Sequence, residues 1–212
     1  ERLGTPVTLF NRYVLGTRAS WVCCDNVEGG RMVARVFLDA GHERPAFLAG
    51  SEDTSTSVGR ERGFTDYLQE QGVTPLREVG DYTYRRAYEA TLRLLDYPER
   101  PDAIFCANDI MAIGALEAIR SGRGLRVPED VSVIGFDDIS MAAWPSYNLT
   151  TIRQPVVTMM DESVEDLLRR IDDPEAPCVN RLIPGDLVVR GSVRLPKGMS
   201  SGWVITKEQD HE

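Results

Sequence analysis

Short apolar blocks alternate along the chain with longer segments whose apolar positions recur every three or four residues. The first pattern is typical of buried strands, and the second is typical of helices with one buried face. The predicted strands are 6–10, 21–24, 45–50, 76–79, 103–106, 131–136, 149–153, 181–183 and 187–190. The predicted helices are 29–41, opened by two glycines, then 58–71, 83–95, about 108–122 and 155–171. Strands that alternate with helices predict an α/β fold.

The clearest unit lies between residues 102 and 144. The apolar block 103–106 is followed by Asn108 and a helix, and the second block 131–136 is followed by Asp137. Such a crossover is almost always right-handed and gives parallel strands. Because open α/β sheets bind ligands beyond the carboxyl ends of their strands, Asn108 and Asp137 predict a polar binding site at one rim of the sheet.

Charge and composition narrow the possible partners. The chain has 212 residues and a net charge of -9, with 42% hydrophobic and 27% charged residues. This length fits one large or two small domains. A negative chain is a poor binder of nucleic acid or anionic membranes, so DNA contact would need a basic segment that these residues do not supply. No secretory signal or membrane-spanning run is visible, and we expect a cytoplasmic protein without membrane contact.

Several kinds of catalytic chemistry lack their residues. The four cysteines match no zinc spacing, and we expect them to be reduced. With only His42 and His211, a Ser-His-Asp arrangement is disfavoured. No GxGxxG follows a predicted strand, and no P-loop lysine motif is present. We therefore expect no metal and no cofactor, and the sequence favours a binding protein over an enzyme.

Six motifs in a fixed order carry a family resemblance. They are GSEDTSTSVGRERGF, GDYTY, IFCANDIMAIGAL, VSVIGFDDISMAAW, LTTIRQP and LVVRGS. With them the chain, from Pro6 to about Leu195, resembles the effector-binding core of the lactose-repressor (LacI) family of transcriptional regulators. The resemblance implies a type I periplasmic-binding-protein-like fold. In that fold, two doubly wound parallel-sheet subdomains hold a small molecule, usually a sugar or nucleobase, in the cleft between them.

The resemblance also implies a division of the chain. Residues 1–42 and 154–180 would form the N-terminal subdomain, 43–150 and 181–195 the C-terminal one, and 196–212 a polar tail. The family's helix-turn-helix headpiece and its first strands and helices are not among these residues. We therefore expect an incomplete N-terminal subdomain, with DNA contacted only through a missing N-terminal headpiece.

Four residues match the family's main ligand contacts. Arg60, in GRERGF, stands where the family places an arginine that hydrogen-bonds the effector. Asn108 matches the pocket amide and Asp137 the pocket carboxylate. Tyr82, after GD, falls where repressors place an aromatic ring against the ligand.

Four further positions follow from the same resemblance. Glu28 occupies the position of an acidic contact in the lactose repressor, and Arg12 that of a tryptophan in the purine repressor. Thr56 is carried over from the purine repressor. Val156 replaces an aromatic residue of the lactose repressor, which implies a smaller wall on that side of the pocket.

Each main residue also has a purely structural interpretation. Arg60 alone would be an ordinary solvated helix residue, although the hydroxyl-rich loop 51–57 before it suits a polyol or an anion. Asn108 could simply be a helix N-cap, and Asp137 could cap the next turn. Tyr82 could be a half-exposed loop ring. These alternatives stay open at the level of sequence.

The sequence as a whole favours the ligand-sensing core of a LacI-type regulator. Its effector would be a sugar or related polyol, and binding would bias an attached DNA-binding headpiece. The alternative is a periplasmic sugar-binding protein of a transporter, which shares the fold. By the same resemblance we expect a homodimer that uses residues 111–119 and 139–144.

Overall fold

A computed structural model describes residues 5–14, 16–198, 200 and 202–205. Its strands are β1 (Thr8–Phe10), β2 (Ser20–Cys24), β3 (Pro45–Ala49), β4 (Leu76–Val79), β5 (Ala103–Cys106), β6 (Ser132–Asp137), β7 (Thr150–Arg153), β8 (Asn180–Ile183), β9 (Asp186–Val188) and β10 (Val204–Ile205). Its α-helices are α1 (Asn26–Asp39), α2 (Ser55–Glu70), α3 (Tyr84–Leu95), α4 (Asp109–Glu117) and α5 (Val156–Asp172). A π-helical turn follows α4 at Ala118–Gly122, and a 3₁₀ turn lies at Ser140–Ala143.

The strands form two sheets. The larger has the order β10-β9-β7-β6-β5-β3-β4, and the smaller has the order β1-β2-β8. All pairs are parallel except the two that involve β9, which runs antiparallel to both β7 and β10. The predicted α/β fold with parallel sheets is therefore confirmed.

The core of the large sheet is apolar and covered on both faces. Strands β3 and β5 are buried at every position, as expected for central parallel strands. Helices α1 and α2 pack together, as do α3 and α4. Phe64 of α2 lies 5.9 Å from Phe47 and 5.3 Å from Phe105, measured between ring centroids. None of the helices in the described ranges is long and apolar enough to cross a membrane.

Helices α1 and α2 approach each other closely through glycines. A Cβ atom on Gly63 would lie 1.9 Å from the carbonyl oxygen of Val27. A Cβ atom on Gly30 would lie 2.2 Å from the carbonyl oxygen of Arg60. Only glycine permits such backbone contact. The prediction that the glycines open α1 is wrong: Asp25 caps the helix, which begins at Asn26, and Gly30 lies inside it.

Two predicted subdomain boundaries differ from the sheets that form. Strand β2 of the small sheet ends at Cys24 and the next helix, α1, packs on α2, whereas the predicted subdomain boundary lies after residue 42. Strand β8 was predicted to join the C-terminal subdomain from residue 181, but it pairs with β2 in the small sheet. The wider division into two subdomains stays a prediction.

Two other predicted segments are a dimer contact and a polar tail. Met111 and Leu116 of α4 and Ile119 of the following π-helical turn are at most 1% exposed within the chain itself. These three side chains pack in the chain's own core, and the dimer contact predicted for 111–119 stays a prediction. The predicted polar tail contains a strand, because β10 pairs with β9, and residues 206–212 lie outside the described residues.

The helix crossing yields a stability prediction. Gly63→Ala should lower the free energy of unfolding by about 1–3 kcal/mol, because the added methyl group overlaps backbone. Gly59→Ala is the matched control, since the nearest atom to its Cβ would be the side-chain Cβ of Asn26 at 3.0 Å, and the nearest backbone atom would lie 3.9 Å away. Urea unfolding followed by circular dichroism measures both. Equal stability of the two variants would contradict the close crossing.

Candidate ligand-binding site

Arg60 is the centre of the predicted site. It lies on α2, and its side chain is buried over the ring of Phe136, with Cζ 3.6 Å from the ring centroid. Nε donates to Asn26 Oδ1 at 2.8 Å, and Nη1 donates to the carbonyl oxygen of Ala107. Nη2 lies 3.4 Å from Asp137 Oδ1. One guanidinium therefore joins the segments that follow β2, β5 and β6.

Asp137 lies at the end of β6 and is held from two sides. Besides Arg60, Gln154 donates from Nε2 to Asp137 Oδ1 at 2.7 Å. Burial raises the pKa of the Asp137 carboxyl, and the charges of Arg60 and Arg12 and the hydrogen bond from Gln154 oppose that rise. Gln154 Oε1 is itself buried, and the described part of the chain offers it no hydrogen-bond partner. Carboxylate and amide thus form one polar wall.

Asn108 follows Ala107, whose carbonyl oxygen binds Arg60. Asn108 Oδ1 accepts the backbone N–H of Met111 at 3.0 Å, so Asn108 is the N-cap of α4. Capping uses the amide oxygen and leaves the amide NH₂ group to other partners. The cap and a ligand contact are therefore compatible in this side chain.

Tyr82 belongs to a second group of side chains at the same end of α2. Its hydroxyl lies 2.9 Å from Thr56 Oγ1 and 3.2 Å from Thr54 Oγ1. Its ring packs on Gly50, where a Cβ atom would come within 2.3 Å. The guanidinium of Arg12 lies over the Tyr82 ring, with Cζ 5.7 Å from the ring centroid. The position of the Tyr82 ring is thus fixed by its contacts with Thr54, Thr56, Gly50 and Arg12.

The two groups are connected through α2. Thr56 and Arg60 are four residues apart, and such residues lie on one face of a helix. At the start of the same helix, Ser55 Oγ accepts the backbone N–H of Tyr13 at 3.2 Å. Tyr13 and Arg12 follow β1 of the small sheet, whereas α2 packs on the large sheet. The site therefore lies where the two sheets meet.

The remaining predicted residues flank this site. Glu28 is half-buried in the first turn of α1, two residues after Asn26. Val156 is the first residue of α5, two residues after Gln154, and is 44% exposed. Their ligand contacts stay predictions.

Sequence reasoning missed two residues of the group, Asn26 and Gln154. Each follows a strand, β2 for Asn26 and β7 for Gln154, just as Asn108 follows β5. The rule that polar residues at parallel strand ends line a site would have found both. Asn26 is in addition 95% buried, and its amide is satisfied there, since Nδ2 donates to the carbonyl oxygen of Cys24 and Oδ1 accepts from Arg60.

The chemistry of this arrangement is recognition by hydrogen bonds. Within the described ranges, no group of three or more His, Cys, Asp or Glu side chains could hold a metal ion. Burial raises the pKa of the Cys23 thiol to about 11 and that of Cys24 to about 12, so both stay protonated and unreactive at neutral pH. The site offers paired charges, amides and hydroxyls.

The fold and this site define a class of protein: an α/β binding protein with its polar site between two parallel sheets. Residues 34–193 match the family described as the periplasmic binding protein-like domain. The chain belongs to this family, in the form found in LacI-family regulators, and the resemblance noted in the sequence is confirmed.

Individual relatives agree. The chain is 34% identical over 192 residues to the probable HTH-type transcriptional repressor ExuR of Bacillus subtilis strain 168, covering 89% of this chain and 57% of the repressor. A structure of a transcriptional regulator CelR–cellobiose complex is similar with a TM-score of 0.82 at 35% identity, covering 89% of this chain and 59% of that one.

A third relative is a sugar-binding LacI-family regulator from Escherichia coli, solved with phosphate. It has a TM-score of 0.79 at 34% identity, covering 91% of this chain and 70% of that chain. The present chain spans about half the length of the curated relatives it matches, 57% of ExuR and 52% of the CelR of Thermobifida fusca.

The buried guanidinium yields a second stability prediction. Arg60→Met should lower the free energy of unfolding by roughly 3 kcal/mol, because Asp137, Asn26 and the Ala107 carbonyl lose their shared donor. Arg62→Met is the control, since that side chain is 69% exposed and its loss should change stability by less than about 0.5 kcal/mol. Thermal and urea unfolding measure the difference. Similar losses in both variants would contradict the bridging role of Arg60.

Proposed function

We propose that this chain is the effector-binding core of a LacI-type transcriptional regulator and that its effector is a neutral sugar or related polyol. The relatives are transcriptional regulators, which favours regulation over the alternative of a transporter's binding protein. One similar structure is, by its name, a complex with cellobiose. In this proposal DNA is bound by a headpiece outside these residues, and the protein acts in the cytoplasm.

The charge balance of the site carries the proposal of a neutral effector. The formal charges of Arg60 and Asp137 cancel across a 3.4 Å contact, and the formal charges of Arg12 and Glu28, which lie beside this pair, cancel each other as well. Around this pair lie the amides of Asn108 and Gln154, which supply both donors and acceptors. A sugar hydroxyl donates and accepts at once, and its hydrogen bonds to charged partners are the strong ones. An anionic ligand would instead face the carboxylate of Asp137.

The proposed mechanism is a difference in affinity between cleft geometries. The segment after β1 contacts the large-sheet half through Arg12 on Tyr82 and through Tyr13 on Ser55. An effector held between these groups stabilises the arrangement in which its partners converge. A ligand shifts an equilibrium only by its differential affinity for the two states, so this preference would set the position of the headpiece.

The effector proposal predicts a graded loss of binding. Isothermal titration of the protein against neutral sugars, including cellobiose and D-ribose, should find a ligand, whereas the anionic D-glucuronate should not bind. Asp137→Asn should weaken binding about 10- to 100-fold, since a hydrogen bond to a charged group contributes roughly 1.5–3 kcal/mol. The control is Asp66→Asn, an exposed carboxylate on α2.

The same sugar should change the DNA affinity of the full-length gene product, measured by fluorescence anisotropy. Unchanged sugar affinity in Asp137→Asn would contradict the site. A sugar that binds without any effect on DNA affinity would contradict the regulator.

The proposal includes a homodimer, formed by an aromatic surface that includes Trp144 of the predicted segment 139–144. Trp144 is 52% exposed and stacks on Tyr147 at 6.2 Å between ring centroids, and Tyr84 nearby is 44% exposed. Aromatic residues of this kind are typical anchors of protein interfaces.

The dimer is tested by exchanging one tryptophan at a time. Trp144→Ser should weaken dimerisation at least about tenfold, because a buried tryptophan commonly contributes 2 kcal/mol or more to an interface. Trp203→Ser is the matched control, being 50% exposed and located beside β10. Sedimentation velocity across micromolar concentrations measures both. A wild-type protein that stays monomeric, or equal effects of the two substitutions, would contradict this surface.

A further inference from the structure

The turn that carries Asp137 has an unfavourable backbone. Asp137 has φ 119° and Asp138 has φ 55°, so two consecutive non-glycine residues adopt positive φ. Such conformations are unfavourable for residues other than glycine and persist only where the surroundings hold them. Asp138 is held by Arg153 and Arg190, each at 2.7 Å. The residue after the turn, Ile139, has a different anchor.

That anchor is the carboxylate of Asp109, which is fully buried. Asp109 Oδ2 accepts the backbone N–H of Ile139 at 2.9 Å, and Oδ1 accepts the hydroxyl of Thr151 at 2.6 Å. The carboxylate lies against Gly135 of β6, where a Cβ atom would come within 2.2 Å of Oδ1. This close contact gives a reason for the glycine in the GFDD motif.

Asp109 is not needed for its own helix. Asn108 already caps α4 through its side chain, so the neighbouring carboxylate is free to reach β7 and the turn. The Asp109 side chain thus links the start of α4 to Thr151 and to Ile139. Thr151 lies on β7, which pairs with β6, and Ile139 follows the turn at the end of β6 that carries Asp137.

We infer that Asp109 is a positioning residue of the binding site, which fixes the strained turn so that the Asp137 carboxylate points at Arg60 and at the effector. This role deepens the proposed function and rests on it for the effector, while the hold on the turn is a property of the chain alone.

The electrostatic setting allows both protonation states to keep this hold. Burial raises the pKa of Asp109 to about 7, the charges of Asp137 and Asp138 add to the rise, and the hydrogen bonds from Thr151 and Ile139 oppose it. When protonated, Asp109 can donate to the Thr151 hydroxyl and still accept from Ile139. The groups facing it are the Cys106 thiol, Asp137 with Arg60, and Asp138 with Arg153 and Arg190.

Asparagine imitates the protonated state, which gives a discriminating pair of variants. Asp109→Asn can still accept from Ile139 and donate to Thr151, whereas Asp109→Ala can do neither. In the protein without ligand, amide hydrogen exchange by NMR should show the Ile139 amide exchanging at least tenfold faster in Asp109→Ala than in wild type. Asp109→Asn should restore the slow exchange.

The control is Asp166→Ala, which removes another buried carboxylate, one that accepts from Thr8 on the small-sheet side. It should destabilise the fold without selective loss of protection at Ile139. Equal Ile139 exchange in wild type and Asp109→Ala overturns the inference, as does the same loss in Asp166→Ala. Should Asp109→Ala fail to fold, an Ile139 amide that exchanges in wild type as fast as in an unstructured peptide also overturns it.

Affinity and pH complete the test. Asp109→Ala should bind cellobiose and D-ribose at least tenfold more weakly than wild type at pH 6, and Asp109→Asn should bind them within threefold of wild type.

Because the folded-state pKa of Asp109 lies above the ordinary 3.8, the stability of wild type relative to Asp109→Asn should fall as pH rises from about 4 to about 7. If no neutral sugar in the titration binds wild type, the proposed function fails, and the exchange measurement still decides the role of Asp109.

Discussion

The burial of one guanidinium constrains the whole site. A charge removed from water is stable only if it is paired and its donors are satisfied. Arg60 meets this requirement with partners from three different segments: Asn26, the Ala107 carbonyl and Asp137. Those segments must end at one place, and α1 must cross α2 closely enough for Gly30 to touch the Arg60 backbone. The glycines that let α1 and α2 approach and the polar residues at the strand ends are therefore both needed for the burial of Arg60.

Much of this could be predicted from sequence, because the carboxyl ends of parallel strands share a rim. Asn108 and Asp137 followed from that rule alone, while Arg60 required the family resemblance, since nothing in its spacing separates it from exposed arginines such as Arg62. Asn26 and Gln154 obey the rule but were not singled out. Many polar residues follow strands, and which of them turn inward depends on tertiary packing.

The wrong predictions share a physical cause, which is that local pattern does not reveal neighbours distant in sequence. Gly30 inside a helix resembles a helix start, but its role is contact with a helix thirty residues later in the chain. The burial of Met111 and Leu116 of α4 is likewise set by neighbours on α3 and β6, which the local pattern does not reveal. Strand β8 is assigned to the small sheet only by its pairing with β2.

The strained turn at Asp137 and the buried charge of Arg60 both favour ligand affinity, because both are held in place before a ligand binds. A ligand that had to order this turn would lose conformational freedom on binding, and only the surplus interaction energy would appear as affinity. Here the turn is held by Arg153, Arg190 and Asp109. The carboxylate is therefore oriented by the chain's own contacts. A neutral polyol that needs an oriented acceptor gains most from such a preformed wall, because its hydroxyl groups bring no net charge of their own to fix the geometry.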